Sequence, residues 1–160
     1  MKKTLFLIIC CISFSASAQS GIKTITKPDG NTIKYFNPKP IIIQNQYEVG
    51  TAIYKNVTTG KFMINISVLF KTIPPKEIKG KLTIQTEGKK GIVLKLVKSE
   101  QLEMNGRKLA TALYEIDSVS FSELKKYPLK SIFFYLDNKM YGATVNDNKS
   151  IYINEIKSFN

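Results

Sequence analysis

No histidine occurs among the 160 residues, so the common acid–base chemistry of active sites would fall to the twelve Asp and Glu side chains. Two carboxylates flanking a glycosidic bond are the simplest catalytic set such a chain could assemble. Glu115 and Asp117 are the best-spaced pair. Two apart in a strand-like run, they project to the same face, and a shared site would raise the pKa of one of them. Glu100 and Glu103 form the other close grouping. The Glu115/Asp117 pair would suit a small hydrolase acting on envelope polysaccharide. The exposed end of an ordinary strand would give the same spacing with no chemistry.

Other chemistries are restricted further. Both cysteines, Cys10 and Cys11, lie in the apolar start of the chain, so residues 19–160 hold no thiol. A Cys nucleophile, a disulfide and a thiolate metal site are excluded there. Asn146-Asp147-Asn148 has the oxygen ligands of a calcium loop, but the sixth and twelfth positions, which need Gly and Glu, are Ile151 and Lys157. An Asx-type turn is the better reading. No metal and no cofactor is expected. Asn56-Val57-Thr58 and Asn65-Ile66-Ser67 match the glycosylation sequon, yet the second falls in mid-strand and the leader is of bacterial type, so neither is used.

The formal charge is +12, and removal of Lys2 and Lys3 with a leader lowers it by two. Arg107 is the single arginine, the other basic residues being dispersed lysines. Bidentate phosphate and base-edge recognition depends on the arginine fork, so a nucleic-acid partner is not expected. Lysines alternating with apolar residues read as solvated strand faces. The aromatics are more suggestive. Phe133, Phe134 and Tyr135 are consecutive, so a strand there sets rings on both of its faces. Phe133 and Tyr135, opposite Ile132, Phe134 and Leu136, are the binding candidates, as a platform for sugar or lipid.

The elements that must position these residues are mostly strands. The segments 22–27 and 32–36 flank Pro28-Asp29-Gly30-Asn31, a hairpin turn. The segment 47–55 alternates. In 62–72, Phe62, Ile64, Ile66, Val68 and Phe70 share a face, the pattern of a half-buried antiparallel strand. A second hairpin joins 81–87 to 92–98, Asn105-Gly106 marks another turn before 109–116, and Asp137-Asn138-Lys139 joins 132–136 to 140–145. One helix is expected near 120–127: Ser120 as N-cap, Glu123 completing a capping box, Val119 and Leu124 as a hydrophobic staple, and Tyr127-Pro128 as the stop. The segment 151–159 fits a strand or a helix equally. The fold expected is mainly β (with α+β as the variant): an antiparallel sandwich or barrel-like sheet of about eight short strands in a single domain, 19–160. Strands this short argue against an outer-membrane barrel, which needs about ten residues per strand.

The start of the chain reads as an address. Met1-Lys2-Lys3 is basic, 5–14 is apolar, and Ala16-Ser17-Ala18 follows. This is the pattern of a secretory signal peptide, 1–18, cleaved between Ala18 and Gln19. The apolar run is too short to span a membrane. Lipidation fits less well, because Ile9 precedes Cys10 and both cysteines sit early in the run. The expected location is therefore the periplasm or the exterior.

With its Ala16-Ser17-Ala18/Gln19 site and a lysine-rich, thiol-free remainder, the chain resembles small exported β-rich proteins of Gram-negative bacteria. The stretch from Ser120 to Leu136 is similar to their short capped helix ahead of a strand-turn-strand ending. The resemblance implies the fold class and export, and carries no functional residue to transfer. The function expected is a non-catalytic binding or accessory module of the cell envelope, with an envelope protein or polysaccharide as partner. The alternatives are the two-carboxylate hydrolase and an immunity-type inhibitor whose basic surface meets an acidic partner.

Overall fold

The structure, a computed structural model, describes residues 21–88 and 91–159. The leader, with Ala18 and Gln19, lies outside the described residues. In chain order the elements are β1 (Lys23–Thr26), β2 (Thr32–Tyr35), β3 (Lys39–Ile43), β4 (Tyr47–Asn56), β5 (Phe62–Phe70), β6 (Ile78–Thr86), β7 (Gly91–Leu94), β8 (Leu96–Met104), β9 (Arg107–Glu115), α1 (Ser118–Lys126), β10 (Leu129–Leu136), β11 (Lys139–Thr144) and α2 (Ile151–Ser158). Strand makes up 56% and helix 12%, the mainly β class that the alternation implied.

Two antiparallel sheets result. A curled half-barrel of seven strands runs β1-β2-β4-β5-β9-β8, with β3 also pairing β4, and a four-stranded sheet runs β11-β10-β6-β7. Ile53, Ile64, Ile66 and Tyr114 from the first sheet share one core with Leu82, Ile84, Ile132 and Phe134 from the second. Leu124 of α1 and Ile151, Tyr152 and Ile156 of α2 belong to the same core.

The strand count is eleven among the described residues rather than about eight. The run 92–98 divides at Lys95. Before it β7 pairs β6 in the small sheet, and after it β8 pairs β9 in the large one. Alternation reports which side of a strand is buried and says nothing about its partner, so the change of sheet leaves no mark on the apolar pattern. The Asn105-Gly106 turn is as read: both residues have positive φ (52° and 73°), and Met104 pairs directly with Arg107.

Strand β5 is not half-buried. The face holding Asn65, Ser67 and Leu69 is as buried as the face of Ile64, Ile66 and Val68. A second cluster with Ile33, Tyr35, Tyr54 and Leu109 covers it. Asn65 and Ser67 tolerate burial because they are satisfied locally. Asn65 Nδ2 donates to Thr111 Oγ1 at 2.7 Å, and Ser67 Oγ donates to Asn65 Oδ1 at 2.9 Å. The Asn65 sequon is thereby sealed inside.

Helix α1 begins three residues earlier than the capping-box reading placed it. Asp117 is the N-cap, its Oδ1 accepting from the Ser120 amide at 2.9 Å and its Oδ2 from Ser120 Oγ at 2.7 Å. Glu123 instead accepts from Thr86 Oγ1 at 2.7 Å, tying the helix to β6. Val119 is 68% exposed, so no staple forms. The helix ends at Tyr127 in extended geometry (φ −118°, ψ 138°), as the following Pro128 requires. The segment 151–159 resolves as helix α2.

Candidate functional site

The carboxylate pairs do not come together as a cleft chemistry. Glu115 forms an exposed ion pair with Lys61 (2.6 Å), and Asp117 is engaged as the α1 cap, its carboxyl held below the usual range by the Ser120 amide and hydroxyl. Glu100 pairs with Lys98 at 2.9 Å, and Glu103 stands across from Lys108 in the β8–β9 ladder. The calcium-like segment is a turn in which Asn148 adopts φ 50° and its Nδ2 donates to the Pro40 carbonyl at 2.7 Å. No cluster of three or more His, Cys, Asp or Glu side chains is found among the described residues.

The aromatic candidates do share a surface. Strand β10 is central in the four-stranded sheet, with Phe133 opposite Gly142 and Thr83 and Tyr135 opposite Met140 and Lys79. Ile132, Phe134 and Leu136 face the core and are fully buried, so Phe133 and Tyr135 take the outer face, where both are half-buried. Each ring uses a glycine on a neighbouring strand. A Cβ at Gly142 would overlap the Ile132 carbonyl oxygen and the Phe133 ring, and one at Gly80 would touch the Tyr135 ring at 3.8 Å. Gly80 has φ 67° at the irregularity where β6 slips register against β10. Val93 (56% exposed) and Met140 (58%) extend the apolar surface, and the exposed Lys79 and Lys81 of β6 stand beside it.

Reading the sequence missed a second place, around Glu155. Strands β2 and β3 both pair along the same edge of β4. Tyr35 is opposite Tyr54 and Lys39 opposite Thr51, so the chain between them leaves that edge open near Ile53. Helix α2 fills the opening. Glu155 Oε2 accepts from the Ile53 amide at 2.6 Å. The Tyr152 hydroxyl lies 2.6 Å from Thr51 Oγ1, which itself donates to the Asn65 carbonyl. Glu155 is 3% exposed, and burial lifts its carboxyl to about 8, against the lowering effects of the Ile53 amide and Lys39. Its other oxygen, Oε1, has no hydrogen-bond partner among the described residues. A lone glutamate in an ambiguous C-terminal segment carries no signal of this; the helix pattern Tyr152, Ile156, Phe159 leaves Glu155 beside the apolar stripe, and that was the available hint.

No family model, curated protein or solved structure matches the chain. The fold class stands on its own geometry, and function must be argued from these two surfaces. No helix among the described residues is long and apolar enough to cross a membrane.

Proposed function

We propose that this protein is an exported, non-catalytic binding or accessory module of the cell envelope, and that it holds a polysaccharide on the outer face of its four-stranded sheet. The observation that carries the reading is the pair Phe133 and Tyr135, two half-buried rings on one sheet face with the exposed Met140 across from Tyr135. Met140 stands directly across from Tyr135, while Val93 lies one strand further out beyond Thr83, and apolar area gathered around two rings on an outer face favours a ligand over chance. Rings offer flat apolar area to sugar C–H faces, and the Tyr hydroxyl adds a hydrogen bond. Lys79 and Lys81 suit a polymer carrying acidic groups. Export is supported by the basic start, the apolar run and Ala16-Ser17-Ala18 before Gln19.

Affinity electrophoresis through gels containing dextran or alginate tests the binding. The protein is retarded in at least one gel, and Phe133→Ala with Tyr135→Ala abolishes the retardation. Retardation that the double variant retains, or none in either gel, overturns the proposal. Fractionation of a Gram-negative host expressing the full chain tests export: the recovered periplasmic or secreted protein begins at Gln19, whereas cytosolic protein retaining Met1 refutes it.

A further inference from the structure

The opening in the β4 edge is more than a packing detail, because the helix that closes it leaves a pocket. The space, of about 280 Å³ and partly open to solvent, is lined by Lys39 at the start of β3, by Lys149 and Ser150 ahead of α2, and by Asn154 and Glu155 on α2. Glu155 and Ile151 are its buried side chains and so form its floor, and the two lysines form its exposed rim. Among the described residues neither Lys39 nor Lys149 makes an ion pair.

We propose that this pocket binds a small oxyanion, a carboxylate or phosphate group, between Lys39, Lys149 and the unpartnered Oε1 of Glu155.

The donor inventory decides the sign of the ligand. Glu155 Oε2 is occupied as an acceptor by the Ile53 amide. In the neutral acid the proton therefore sits on Oε1, a buried donor without an acceptor. An orphaned buried donor is costly, and a ligand oxygen that draws the carboxyl a short way toward the pocket relieves it. Both lysine ammoniums are donors, and the N-terminal end of α2 adds a partial positive charge. A cation would meet two ammoniums against at most one carboxylate, so an anion is favoured. Burial, which lifts the carboxyl to about 8, keeps this donor in place at neutral pH. The other titratable groups near it are Lys39 of β3, Lys149 of the preceding turn and Tyr152 of α2.

The test is an NMR titration of the full exported chain with acetate, and separately with inorganic phosphate, following the amides of Ser150, Asn154 and Ile53. Saturable shifts are expected at neutral pH. Acetate keeps one charge across the range, so its affinity falls about tenfold between pH 7 and pH 9 as Glu155 ionises. Glu155→Gln retains both the acceptor for Ile53 and a donor for the ligand, and its affinity stays flat with pH. The double change Lys39→Met and Lys149→Met weakens binding about tenfold or more while Glu155 remains. This second variant carries the test if Glu155→Gln does not fold. Acetate-only saturation points to small or polymer-borne carboxylates, phosphate-only saturation to phosphate groups, and both outcomes support the site. Non-saturating shifts for both anions, or binding indifferent to the lysine changes, overturn it.

Discussion

Glu155 Oε2 lies 2.6 Å from the backbone nitrogen of Ile53, 102 positions earlier in the chain, and that bond fills the place of a missing strand. A β4 amide that would otherwise be unpaired in a buried edge is satisfied by a side chain from the last helix. Replacing Glu155 by Ala should therefore destabilise the fold by roughly 1–3 kcal/mol, the cost of leaving one buried donor unmade, whereas Gln should cost much less. Urea unfolding followed by circular dichroism separates the two variants. Equal midpoints for Ala and wild type would show that the bond contributes nothing.

The same residue gives stability a pH dependence. In the unfolded chain Glu155 releases its proton near the ordinary carboxyl range, and in the folded protein it holds it to about 8. The folded state thus binds the extra proton between these values, so stability falls as pH rises from about 4.5 to about 8 and then levels. The full effect is roughly 5 kcal/mol at most, and Glu155→Gln removes the slope. Asp117 works the other way: its lowered carboxyl contributes stability that is lost as pH falls through the acid range. Chemical denaturation between pH 4.5 and 9 reads the Glu155 effect, the Asp117 effect falling below that window, and a wild-type curve that superimposes on that of Glu155→Gln would contradict the assignment.

Asp117 is the residue whose removal should loosen α1. Asp117→Ala leaves the Ser120 amide without its cap at a cost of about 1 kcal/mol, while Asp117→Asn, also a good cap, costs a fraction of that. Thermal melts of the three proteins rank them. If Ala and Asn match, the cap is not what sets the helix start.

Tyr114 presents the opposite case. Its hydroxyl is buried with no partner among the described residues, and burial drives the phenol far above its normal range. Tyr114→Phe should be neutral or stabilising by up to about 1–2 kcal/mol, since the ring stays and only a desolvated polar atom is lost. A clear fall in the urea midpoint would mean that the hydroxyl has a partner in solution.

Gly142→Ala addresses the aromatic face. The new Cβ overlaps the Ile132 carbonyl oxygen and the Phe133 ring, so one of them must move. A loss of roughly 1–3 kcal/mol is expected together with a shifted Phe133 ring resonance. Gly91→Ala, where a Cβ would meet open space, serves as the control and should behave as wild type.

Much of this was legible along the chain. Period-two alternation in Phe62, Ile64, Ile66, Val68 and Phe70 dictates a strand whatever surrounds it, because successive side chains must point to opposite faces. Asn105-Gly106 dictates its turn, since the two positions need positive φ. The Tyr127-Pro128 step ends α1 through a steric clash between adjacent residues. Local rules of this kind also set Phe133 and Tyr135 on one face of β10. They failed at Ser120, where two caps lay within reach and the contact of Glu123 with Thr86 chose between them. What only the tertiary structure decided is everything that depends on a partner distant in sequence: that the strand run divides at Lys95 between two sheets, that the polar face of β5 is covered, and that β2 and β3 part to admit Glu155. Side-chain direction is fixed by neighbours in the chain, but whether a buried donor finds an acceptor depends on which distant segment is packed against it.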